Sequence, residues 1–91
     1  MYLYSLYDCK ADGYTPPFLA KNDDMAHRTV VESYRRIGTC QLTEYPEDFT
    51  VFRIAEWNED TGEITPCIKS SIGNVLQIVN AASKAPKPEE E

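Results

Sequence analysis

Ninety-one residues, 42% of them hydrophobic and 26% charged, make one small domain and exclude both a fibrous architecture and global disorder. Fifteen acidic against nine basic side chains give a net charge of −6, which repels phosphate backbones and disfavours a general nucleic-acid coat. No apolar run approaches the roughly 20 residues of a membrane-spanning helix, and MYLYSLYDCK lacks the basic stretch and small-residue cleavage site of a secretory signal.

Residues 2–8, YLYSLYD, are rich in tyrosine and leucine and end in polar residues before a glycine, which predicts a first strand. Both of its faces, Tyr2, Tyr4, Leu6 and Leu3, Ser5, Tyr7, are largely apolar. The following DCKADGYTPPF breaks regularity through Gly13, Pro16 and Pro17 and predicts a loop of about ten residues, with Tyr14 and Phe18 anchoring it to the core. Asn22, Asp23 and Asp24 open a helix, because short acceptors cap free amides and negative charge suits a helix N-terminus. Ala26, Val30, Tyr34 and Ile37 trace its apolar stripe, Arg35 and Arg36 complement the dipole, and Gly38 is the expected C-terminal cap. This helix is expected to lie across one face of the sheet.

After TCQLTEYPED comes FTVFRIAEW, residues 49–57, whose side chains alternate across a strand. Phe49, Val51, Arg53, Ala55 and Trp57 fall on one face and Thr50, Phe52, Ile54 and Glu56 on the other, so both faces carry apolar residues. NEDTG then predicts a hairpin turn to a strand at 63–68, which Pro66 places at a sheet edge. Residues 70–82 start with serines that can cap and carry Ile72, Val75, Leu76 and Val79 at helical spacing, predicting a short C-terminal helix. The expectation is an α+β fold: a small βαββ unit with an antiparallel-containing sheet, one main helix and that short helix, spanning residues 1–83. Residues 84–91 form a disordered charged tail in this reading.

Catalytic chemistry finds little support. Cys9, Cys40 and Cys67 are widely spaced, and His27 is the single histidine, so neither a zinc ligand set nor a nucleophile–base pair stands out. Asp23/Asp24, Glu47/Asp48 and Glu59/Asp60 are explained by a helix start, a loop and a turn. No phosphate-binding glycine motif or calcium loop is present. The sequence reads as non-enzymatic, with no cofactor and no metal.

Aromatic residues are more suggestive. Tyr4, Phe52 and Trp57 on predicted strands are candidates to stack on unpaired bases or to line an interface. Lys21, Arg28, Arg35, Arg36 and Arg53 are the candidate phosphate contacts. Residues 41–63 hold seven acids against Arg53 alone, so any anion-binding surface belongs to the N-terminal half.

YSLYDCKADGYTPPF, AHRTV, YPEDFTVFRIAEWNEDTGEI and SIGNVL, in that order over about residues 2–78, resemble the small non-structural protein of gokushovirus-type microviruses, single-stranded DNA phages. The resemblance implies a protein of the host cytoplasm, absent from the capsid shell, to which a DNA-binding role is ascribed when replication turns to making and packaging single-stranded genomes. It carries over no site residue. The joint expectation is a homo-oligomer, formed through the sheet face that a lone helix leaves bare, that binds single-stranded DNA. The alternative is an acidic regulator whose segment from Glu44 to Glu63 engages a basic replication, capsid or host protein.

Overall fold

The computed structural model describes residues 1–36 and 41–84. Strand β1 (Tyr2–Asp8) is followed by two short strands, β2 (Gly13–Tyr14) and β3 (Phe18–Ala20). Helix α1 (Asp23–Arg36), the single-turn α2 (Gln41–Glu44) and a 3-10 turn at Pro46–Asp48 lead into β4 (Phe49–Trp57). Strand β5 (Ile64–Asn74) and helix α3 (Val75–Lys84) complete the order. The sheet is antiparallel, β2-β1-β4-β5, with β3 also paired to β1. This is the α+β class the sequence predicts, with β2 and β3 added to the βαββ core.

β2 and the first residue of β3 fall in the stretch expected to be a loop. Pro16 and Pro17 lack the donors a continuous ladder needs, so pairing with β1 is split into Tyr7↔Tyr14 on one side and Leu3↔Leu19 on the other. Thr15 bridges the gap: its amide donates to the Leu6 carbonyl at 2.8 Å, its carbonyl accepts from Ser5 Oγ at 2.7 Å, and its hydroxyl accepts from the Leu6 amide at 3.1 Å. Phe18 anchors onto the core as expected, stacked on Tyr4 with centroids 5.7 Å apart, whereas Tyr14 turns to the other face of the sheet.

Helix α1 begins where the capping residues place it. Asn22 Oδ1 accepts from the Met25 amide at 2.9 Å, Asp23 and Asp24 fill the first turn, and Arg35 and Arg36 fill the last. Ile37, the cap expected at Gly38, Cys40 and residues 85–91 of the expected tail lie outside the described residues, while Lys84, the first residue of that tail, ends α3. The helix packs Ala26, Val30 and Val31 onto Tyr4, Phe49 and Val51, and α3 adds Val75, Ile78 and Val79 to the same cluster.

The second hairpin strand runs further than predicted, to Asn74 rather than Ile68, so α3 starts at Val75 rather than near Ser70. Gly73 explains the difference: its φ of +142° is incompatible with a helix, and it pairs with Val51. Asn74, not a serine, is the cap, with Oδ1 accepting from the Leu76 amide at 2.9 Å. His27 braces this end of the strand. Its Nε2 lies 2.7 Å from the Ile72 carbonyl, which can only accept, so Nε2 carries the proton. The β4–β5 turn behaves as its residues predict: Asn58 Oδ1 accepts from the Asp60 amide, and Gly62 takes a φ of +77°.

A bulge in β4 redistributes the faces of FTVFRIAEW. Arg53 pairs with Tyr4, but Ala55 pairs with Leu3, so Ile54 is an extra residue. Adjacent residues of β1 point to opposite faces, which sends Ala55 and Trp57 to the face opposite Phe49, Val51 and Arg53. Packing agrees with this division: Ala55 is buried yet lies outside the cluster that Tyr4, Phe49 and Val51 share with the helices. The expected grouping of Arg53 with Trp57 is therefore corrected.

Candidate functional site

Only one face of the sheet carries a helical layer among the described residues. The shortest dimension of the molecule, 20 Å, suits one sheet and one layer of helices. The other face carries Tyr7, Tyr14 and Phe52, which gather into a ring cluster with centroids 5.0 Å (Tyr7–Tyr14), 6.1 Å (Tyr14–Phe52) and 6.5 Å (Tyr7–Phe52) apart. Tyr14 is 46% exposed, and Tyr7 and Phe52 are half-buried. Lys69 of β5 reaches the cluster at Tyr14, with Nζ 4.9 Å from that ring's centroid and donating to its hydroxyl oxygen at 2.9 Å. The Tyr7 hydroxyl donates to Asp12, and that bond pushes its pKa up to about 12.

The residues predicted from the sequence are not brought together. Phe52 lies in the cluster, and Trp57, half-buried, shares its face further along β4. Tyr4 is 0% exposed, beneath the helices, and its ring has no surface left to receive a base. Its hydroxyl donates to Asp23 Oδ1 at 2.8 Å, and burial together with that carboxylate holds its pKa far above the ordinary tyrosine range. Arg53 is also on the helix side, with Nη1 3.5 Å from Asp23 Oδ1 and its guanidinium 5.0 Å from the Tyr2 ring centroid. Arg28, Arg35 and Arg36 are exposed on α1, and Lys21 is exposed just before it. The helix layer thus holds these cations on the side of the sheet away from the ring cluster.

The candidate residues drawn from the sequence leave out Tyr7, Tyr14 and Lys69. Tyr14 is invisible as a strand residue because its ladder is two residues long. Lys69 falls beyond the predicted end of its strand. The signal for Tyr7 was present in the alternation of YLYSLYD, which sets it opposite Tyr4.

A recess of about 500 Å³ near the end of β1 is lined by Asp8, Lys10, Tyr45, Glu47 and Asp48 among others. Its carboxylates outnumber its single lysine, a poor setting for a phosphate-bearing ligand. Among the described residues no group of three or more histidine, cysteine or carboxylate side chains is placed to hold a metal ion, and no helix is long and apolar enough to cross a membrane.

The family model described as Phage ORF5 protein matches residues 1–81. The chain belongs to the Phage ORF5 protein family. Comparison with curated proteins and with solved structures found no match to either. The match spans β1 to β5, and so includes the ring cluster and Lys69.

Proposed function

We propose that this protein is a non-catalytic accessory to the synthesis or packaging of single-stranded phage DNA in the host cytoplasm, and that it holds the DNA on the bare face of its sheet. The resemblance to the gokushovirus-type non-structural protein supports the phage setting. The observation that carries the DNA reading is the cluster of Tyr7, Tyr14 and Phe52 on a sheet face that carries no helix among the described residues, with the Lys69 ammonium against the Tyr14 ring. Rings on a sheet stack unpaired bases at about 1–3 kcal/mol each without reading sequence. A cation beside them meets the phosphate between two stacked bases. Duplex DNA hides its base faces and offers mainly charge, which an acidic chain repels.

One phosphate contact sets the expected salt response. Single-stranded binding through Lys69, with at most one further cation, gives a slope of about −0.7 to −1.4 in log K against log salt. The test is a fluorescence titration of Trp57 with oligothymidine at low and high salt, repeated with Tyr14→Ala. The reading expects saturable binding, a shallow salt slope, and roughly 5- to 100-fold weaker binding by the variant. Unchanged emission, together with no retention on a single-stranded DNA column at low salt, contradicts it.

A second reading is favoured by a separate feature. Glu56, Glu59, Asp60 and Glu63 are all exposed around the β4–β5 turn, a surface fit for a basic replication, capsid or host protein. Binding to such a protein, lost when these four are replaced and unaffected by Tyr14→Ala, would select that reading over the first.

A further inference from the structure

The bare face has two chemically distinct halves. Around Phe52 it carries hydroxyl-bearing rings and a cation. Toward the β4–β5 turn the register lines up Leu19, Leu3, Ala55 and Pro66 in one row across β3, β1, β4 and β5, with Trp57 and Ile64 paired in a neighbouring row. These two rows contain no charged side chain. Leu19 is 42% and Ile64 60% exposed.

The geometry points to a second copy of this chain as the occupant of this apolar half. Charge separates the candidates. A nucleic acid needs cations, and the rows supply none; a basic protein would be drawn to Glu59, Asp60 and Glu63 at the turn, not to an uncharged patch. A copy of the chain brings the same rows, and across a two-fold axis each apolar residue needs only an apolar counterpart. Repulsion between two chains of charge −6 is also least where no charged side chain leads the approach. Edge-to-edge pairing through β5 is opposed by Pro66, which cannot donate, and by Lys69 on the same strand, so the copies meet face to face. The two rows hold six residues, well short of the roughly 20–30 a side of a standard interface, which makes the association weak and concentration-dependent. Dimerisation stands without the DNA reading; only its consequence, two ring clusters presented together, rests on it.

Salt distinguishes the two. Like charges flanking an apolar contact are screened by added salt, so self-association strengthens where DNA binding weakens. Sedimentation of the full chain without DNA, between about 5 and about 500 μM, suits an interface of this size. The mass is expected to rise from the 10.4 kDa of one copy toward twice that value, and further at high salt. Ile64→Lys remains one copy throughout with an unchanged circular dichroism spectrum, and Leu19→Thr raises the dissociation constant about tenfold. A single-copy mass at every concentration, a folded Ile64→Lys that still pairs, or association that weakens with salt overturns the inference. A failed oligothymidine titration leaves it untouched, because no DNA enters this experiment.

Discussion

Lys69 and Tyr14 sit on opposite edge strands of the main sheet path, yet the lysine ammonium reaches the tyrosine hydroxyl at 2.9 Å and lies 4.9 Å from its ring centroid. The two side chains form a strap beside Tyr7 and Phe52, whose rings pack against Tyr14. An exposed cation–π contact is worth only about 0.5–1 kcal/mol, so a base and its phosphate can displace the strap at little cost. Lys69→Ala is therefore expected to leave stability within about 1 kcal/mol of wild type. The same change flattens the oligothymidine salt slope by about 0.7, the share of one phosphate contact. Chemical denaturation and a salt-dependent titration read the two effects separately.

Asp23 joins three elements, accepting from the buried Tyr4 hydroxyl and from Arg53 while its charge sits in the first turn of α1. Asp23→Ala leaves the Tyr4 hydroxyl without a partner and is expected to cost about 1–3 kcal/mol. Asp23→Asn keeps an acceptor and costs less. Urea unfolding of the pair checks this ordering, and equal losses would contradict it.

Gly73 is held at a φ of +142°, and a Cβ there would lie 3.1 Å from both Cγ1 and Cδ1 of Ile78. Backbone strain and crowding act together. Gly73→Ala is expected to destabilise by about 1–3 kcal/mol, whereas Gly13→Ala, with nothing near its Cβ, is expected to cost less. Thermal unfolding of both variants decides the comparison.

Tyr4 and Tyr7 keep their protons longer in the folded chain than in the unfolded one, Tyr4 through burial and Asp23, Tyr7 through its bond to Asp12. The unfolded state then binds fewer protons above the ordinary tyrosine pKa of about 10, so stability falls as pH rises. The contribution is complete below about pH 10, and the Tyr7 share is lost as pH passes through about 12. Tyr7→Phe should flatten the first part of that decline. Denaturation midpoints measured from pH 9 upward test it.

Much of this architecture is legible in the residues themselves. Asn22 through Asp24 mark the start of α1, Asn58 and Gly62 mark the hairpin turn, and Pro66 marks an edge, because each acts through its own backbone or its nearest neighbours. Tertiary constraints account for the remainder. Ser70 to Gly73 extend β5 because the first half of β4 needs a partner there, and Asn74 then caps α3. The bulge at Ile54 has no local signature, yet it decides which face Trp57 joins. Tyr4 and Tyr7, three residues apart, differ as core and surface rings only through the side of β1 that the helices cover. The arginines were visible as charges, but which side of the sheet their helix covers was not.

The most direct test of the central claim is an amide and side-chain NMR titration of the isotope-labelled chain with oligothymidine. The bare-face reading predicts shift changes concentrated at Tyr7, Tyr14, Phe52 and Lys69, with Arg28, Arg35 and Arg36 unmoved. Shift changes confined to the arginines of α1, or none at low salt, would contradict it.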